Sequence, residues 1–100
     1  MCTIRLQDIM QGHDYPDSGA LLFDKMMELE NVCDKVVLDL DGVISLPSIF
    51  LNVSVGKYIM QFGVDALKEK YSFAHISVSQ IERLKKYIGT ISETSVSPKQ

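Results

Sequence analysis

The sequence predicts an α/β domain in which helices pack on a mixed or mainly parallel sheet of about four strands. Three observations carry this expectation. Short apolar runs of strand character alternate along the chain with segments of helical period. The links between them are short and rich in turn residues. The chain has 100 residues, 46% of them hydrophobic and 23% charged, which suits one core and leaves little room for a second domain. Residues 1–91 are assigned to that single domain.

Thr3 to Ile9 alternates Ile4 and Leu6 with Arg5 and Gln7, the pattern of a half-buried first strand. The turn-rich stretch QGHDYPDSG follows. Asp17 or Ser18 can cap the next helix, whose apolar positions Ala20, Leu21, Phe23, Met27 and Leu29 continue to about Glu30. Asn31 to Lys35 forms a loop. The run KVVLDL, Lys35 to Leu40, is β-branched and apolar enough for a central strand covered on both faces.

Asp41-Gly42 is a turn signal, and Val43 to Leu46 a short apolar link. Pro47 then offers the fixed φ that favours a helix start. A long helix is expected from Ser48 to Phe62, ended by Gly63 in a left-handed conformation. Val64 to Tyr71 reads as a short helix and Phe73 to Ser77 as a further strand. Ser79 and Glu82 match a capping box that opens the helix SQIERLKKYI. Ser92 to Gln100, SETSVSPKQ, has too few apolar residues to pack and is expected to be a flexible C-terminal tail.

Charge and composition exclude several classes of function. A net charge of −3 supplies no field for nucleic acid, whose backbone is held by clustered Lys and Arg. Arg83, Lys85 and Lys86 lie near the end of a predicted helix, where they compensate its dipole. No window approaches the roughly 18 apolar residues of a membrane span. The opening MCTIRLQDIMQGHD is broken by Arg5, Gln7 and Asp8, so neither a signal peptide nor an anchor is expected. Cys2 and Cys33 offer no disulfide framework and are expected as reduced thiols in a cytoplasmic protein.

Catalytic patterns are sparse. His13 and His75 lack a second ligand at metal-binding spacing, and His13 with Asp14 and Asp17 suits a polar turn better than a cation site. His75, inside FAHIS, is expected to pack or hydrogen-bond locally within a strand. Asp39 and Asp41, two apart, share a strand face and could form an acid-base pair or hold a cation. A strand end followed by an Asp-Gly turn accounts for both without catalysis. Neither cysteine has a histidine nearby, and no glycine-rich loop matches a phosphate-binding pattern. The expectation is therefore a protein with no catalytic residues, no metal and no cofactor.

Ser48 stands apart. A hydroxyl in the first turn of a helix lies among unpaired N–H groups, where negative charge is favoured, so a phosphate placed there would be stabilised and would present about −1.5 to −2 charges to a docking partner. Ser is also common at helix starts simply as a cap.

The run VVLDLDGVISLPSIFLNV resembles the signature of STAS domains, the anti-sigma factor antagonist fold. Asp39, Gly42 and Val43 match that signature. Pro47 stands where the antagonists carry Asp, Ser48 falls on their phosphorylated serine, and Ile49-Phe50 replaces Ser-Gly. A closer resemblance is to the STAS-like family of unknown function, DUF4325, through Ser48, Phe50, Leu51, Asn52, Gly56 and Phe62-Gly63, with FAHIS and a helix downstream; it covers roughly residues 18 to 90. The resemblance implies a non-enzymatic regulatory module. Ser48 would be the candidate phospho-acceptor, and Leu46, Pro47, Ser48, Ile49 and Asn52 would contact a protein partner, such as a GHKL-type ATPase or kinase. The alternatives are a structural subunit that self-associates as a homodimer through the apolar Ser48–Phe62 helix, or a small inhibitor on the same scaffold. A small-molecule or lipid sensor using a crevice at the strand ends is a further reading.

Overall fold

The computed structural model describes the backbone of residues 2–96 and the side chains of residues 2–91. Strand β1 (Cys2–Arg5) leads into helix α1 (Leu6–Met10), followed by α2 (Tyr15–Leu29), β2 (Val36–Asp39), α3 (Ser48–Asn52), α4 (Val55–Phe62), α5 (Val64–Lys70), β3 (Tyr71–Ala74) and α6 (Val78–Val96). The strands form one parallel sheet in the order β1-β2-β3, so the described residues carry three strands rather than about four. Helix α6 runs on to Val96, so residues 92–96 of the expected tail are helical and Arg83, Lys85 and Lys86 lie in mid-helix instead of near its end; residues 97–100 lie outside the described residues.

The sequential order has a direct consequence. Right-handed crossovers that always step in the same direction deposit their helices on one side of the sheet. Cys2, Val36 and Tyr71 are in register on that side, as are Ile4, Leu38 and Phe73. The core gathers there: Ile4, Val36 and Leu38 against Leu22 and Met26 of α2, Phe50 and Leu51 of α3, Val55 and Tyr58 of α4, and Leu84 of α6. On the other face, Thr3, Arg5 and Ser72 are exposed and Val37, Asp39 and Ala74 only half-buried. The expectation that β2 is covered on both faces is thereby corrected, because among the described residues the topology puts no helix on the second.

Several boundaries also differ from the sequence reading. The strand expected over Thr3 to Ile9 stops at Arg5, and Leu6 turns into α1 with its side chain in the core. Asp14, not Asp17 or Ser18, caps α2: its carboxylate accepts from the Asp17 N–H at 3.0 Å, with Pro16 in the first turn. The long helix from Ser48 to Phe62 is divided into α3 and α4 at Val53 and Ser54. There Ser54 Oγ donates to the Phe50 carbonyl at 2.8 Å, so a hydroxyl takes the carbonyl that the helix ladder would use. Gly63 does end α4, with φ of +96°. The capping box of α6 is Ser77 with Gln80 instead of Ser79 with Glu82: the Gln80 N–H donates to Ser77 Oγ at 3.2 Å, and the Ser77 N–H to Gln80 Oε1 at 3.0 Å.

Two glycines allow close packing. A Cβ at Gly19 would lie 2.4 Å from Val53 Cγ2 and 2.7 Å from the Phe50 carbonyl oxygen, so α2 sits directly on the α3–α4 junction. A Cβ at Gly56 would lie 2.2 Å from the Tyr87 hydroxyl, which sets the approach of α4 to α6.

Cys2 and Cys33 are joined in a disulfide, their Cα atoms 6.1 Å apart, which corrects the expectation of two reduced thiols. The pairing follows from the sheet. β1 begins beside the start of β2, with the Cys2 N–H donating to the Lys35 carbonyl at 2.9 Å, so residue 2 is brought against the segment that precedes β2.

Candidate functional site

In a parallel sheet the loops that follow the strands gather at one end, where crevices form. Here that end carries the segment from β2 to α3, residues 40–47, and the turn from β3 to α6, residues 75–77. Asp39 ends β2. One carboxylate oxygen accepts from the Asp41 N–H at 2.9 Å, which closes the Asp-Gly turn, and the same oxygen lies 2.8 Å from His75 Nδ1. Gly42 takes φ of +85°, a conformation open to glycine. His75 is not a strand residue: β3 ends at Ala74, and His75 adopts φ of +56°, an uncommon conformation that Asn, Asp and His enter more readily than other side chains.

Protonation follows from these contacts. The Asp41 N–H, then the His75 hydrogen bond, hold the Asp39 carboxyl below the ordinary carboxylate range. The hydrogen bond to Asp39 raises the His75 imidazole above its ordinary value. Asp41 gives its backbone N–H to Asp39, and the side chain hydrogen-bonded to Asp39 is that of His75.

Further bonds hold the segment between β2 and α3. Gln80 Nε2 donates to the Val43 carbonyl at 2.8 Å, and the Tyr15 and Ser45 hydroxyls lie 3.3 Å apart. Leu46 is buried in the core at 2% exposure. Between these anchors Ile44 stands out at 93% exposure. Pro47 is half-buried and serves as the N-cap of α3, Ser48 is exposed as its first residue, and Ile49 is 51% exposed. Asn52 is exposed and accepts from the Tyr87 hydroxyl at 2.7 Å. The chain thus presents Ile44, Ser48 and Ile49 outward while Leu46 and Phe50 point into the core.

The sequence profile of the STAS-like domain of unknown function (DUF4325) matches residues 18–80. The chain belongs to this STAS-like family. Comparison with curated proteins and with solved structures finds no match. The matched span runs from Ser18, the first buried residue of α2, to Gln80, so it includes β2, β3 and every anchor of the exposed segment except Tyr15.

A shallow cavity of about 210 Å³ opens beside this segment of the STAS-like domain, lined by Gln7, Met10, His13, Tyr15, Ile44 and Ser45 among others. Asp14 is used as the cap of α2, and among the described residues no group of three or more His, Cys, Asp or Glu could hold a metal ion. No helix among the described residues is long and apolar enough to cross a membrane. The residues missed by sequence reasoning are His75 as the partner of Asp39, Gln80 as the anchor of Val43, and Ile44 as an outward side chain. Parallel register holds the first signal, since it aligns Asp39 with Ala74 and so brings the next residue to the same sheet end.

Proposed function

We propose that this STAS-like domain is a non-enzymatic regulatory module that binds a protein partner across the Ile44–Asn52 surface, with Ser48 as the candidate phospho-acceptor. One observation carries the reading: Ile44 and Ile49 are exposed on either side of Ser48, while Leu46 and Phe50 between and beyond them are buried. Two outward isoleucines on a segment held by Gln80 and Tyr15 form a pre-ordered apolar contact, and binding then costs little ordering entropy. A phosphate on Ser48 would add about −1.5 to −2 charges to that apolar surface and oppose docking there. The resemblance to anti-sigma factor antagonists favours a GHKL-type ATPase or kinase as the partner.

The test is affinity capture from the source cells with three baits: wild type, Ile44→Asp with Ile49→Asp, and Ser48→Asp. The expected result is a protein held by wild type and reduced at least tenfold by the double substitution, with melting temperature unchanged. The same proteins on a folded double-substituted bait would end the docking reading. Full binding by Ser48→Asp would remove the switch and leave the docking surface.

Self-association is favoured by a separate feature, the exposed Met60 and Phe62 at the end of α4. Tyr58, Ile59 and Val55 of the same helix are buried, so only this end is free to cover a second copy. Sedimentation at micromolar concentration distinguishes the two, since a strict monomer excludes it.

A further inference from the structure

Strand β3 is hydrogen-bonded to β2 on one side, and as the last strand in the order β1-β2-β3 its other edge pairs with no strand among the described residues. Such an edge carries unpaired backbone donors and acceptors. Beside it, on the helix-bearing side, run two adjoining depressions of about 310 and 390 Å³ that share Lys85 and Ile88. Phe73 and Ile76 form one wall and Ile81, Leu84 and Ile88 of α6 the other. Helix α6 explains the groove. Its positions Gln80, Leu84 and Tyr87 turn to the core and to Gly56 of α4, while Val78, Ile81 and Ile88 make a second apolar stripe at helical spacing, whose Ile88 faces Val64 and Lys68 of α5 across the second depression.

The charge of the groove is one-sided. Lys68 of α5 and Lys85 of α6 stand on its rim, and among the described residues no acidic side chain lines either depression. The geometry points to a second docking surface, in which an extended segment of a partner protein adds a strand to the β3 edge, sets alternate apolar side chains into the groove and meets Lys68 and Lys85 with carboxylates. Backbone pairing supplies affinity in this mode, and the side-chain pockets supply selectivity. The lysines decide between occupants. A second copy paired about a two-fold axis at β3 would bring two sets of Lys68 and Lys85 onto one shared groove, whereas an acidic segment neutralises them. This surface is separate from Ile44–Asn52 and does not rest on that reading.

The probe is a labelled, soluble peptide alternating valine and glutamate, titrated by fluorescence anisotropy beside a matched peptide alternating valine and lysine. The glutamate peptide is expected to bind at least tenfold more tightly than the lysine peptide, with weaker binding at high salt and slowed exchange of the Phe73 amide. Ile81→Asp with Ile88→Asp should abolish binding. Lys68→Glu with Lys85→Glu, at exposed positions that do not disturb the core, should reverse the preference between the peptides. Equal binding of both peptides, binding of neither, or a preference untouched by the lysine reversal would overturn the inference. A concentration-dependent dimer dissolved by Ile88→Asp would also overturn it, since a second copy would then fill the groove.

Discussion

His75 Nδ1 lies 2.8 Å from Asp39 Oδ1, joining the ends of two neighbouring strands across 36 positions of the chain. The imidazole is mostly exposed, yet its backbone holds φ of +56°, so the contact and an uncommon backbone conformation occur together. The same carboxylate oxygen closes the Asp41 turn. One atom therefore links the β2 end, the segment leading to Ser48, and the start of α6.

This pair makes stability depend on pH at both ends of a window. Asp39 is lowered in the fold, so its contribution is present above the unfolded value near 3.9 and is lost as pH falls through the folded value. His75 is raised, so its contribution is complete below about 6.5 and is lost as pH rises through the folded value. The difference in melting temperature between wild type and His75→Asn should be largest between about pH 4 and 6.5 and shrink on both sides. Asn tolerates the positive φ, so the variant isolates the charge. Melts from acid to mildly basic pH, with an NMR titration of His75, check both limbs; a difference independent of pH would contradict them.

The disulfide is expected to act on the unfolded chain. Cys2 and Cys33 are 31 positions apart, and closing a loop of that length removes about 3–4 kcal/mol of unfolded-chain entropy. Reduction, or Cys2→Ser, should lower unfolding stability by roughly that amount while the far-UV spectrum stays native. Urea unfolding with and without reductant measures it, and thiol titration of the native protein verifies the bond.

Gly19→Ala should be harmful although alanine is the better helix former. The added methyl would meet the Phe50 carbonyl oxygen at 2.7 Å, and backbone cannot swing aside as a side-chain tip can. A loss of about 1–3 kcal/mol from overpacking exceeds the gain of about 1 kcal/mol in helix propensity. Gly89→Ala, on the same chemistry in α6, meets no atom within 4 Å and should stabilise by about 0.5–1 kcal/mol. The urea midpoints of the two variants should move in opposite directions.

Lys70 joins three parts of the fold. Its Nζ donates to the carbonyls of Glu30 at 2.8 Å and Cys33 at 2.5 Å, and Glu30 Oε1, which accepts from the Tyr58 hydroxyl, lies 3.9 Å away. Lys70→Met keeps the aliphatic stem and leaves both carbonyls without the ammonium, at a cost of about 2–4 kcal/mol. Thermal unfolding measures this loss; a variant as stable as wild type would mean that water replaces the ammonium at both carbonyls.

Much of the fold was legible because it depends on local order. The apolar run Val36–Leu40, the turn at Asp41-Gly42, the helix start at Pro47 and the alternation of strands with helices together imply a parallel sheet, and the spacing around Ser48 pointed to the family. Ser48, Ile49 and Asn52 are exposed where the site was expected. Leu46 was less legible, because an apolar residue beside a site reads equally as contact or core until the packing is known.

Apart from α1 and the break between α3 and α4, what the sequence determined by itself was therefore the kinds of element and their order, since hydrophobic period, capping and turn chemistry act over a few residues. The tertiary structure decided everything that depends on which residues meet. Among the described residues strand order left one sheet face without helices, register brought His75 to Asp39 and Cys2 to Cys33, Ser54 marks the break of a continuous apolar stretch into two helices, and Gly19 lets α2 pack on that break. These contacts span from 4 to 36 positions, and those between elements are set by how elements pack, which no local pattern encodes.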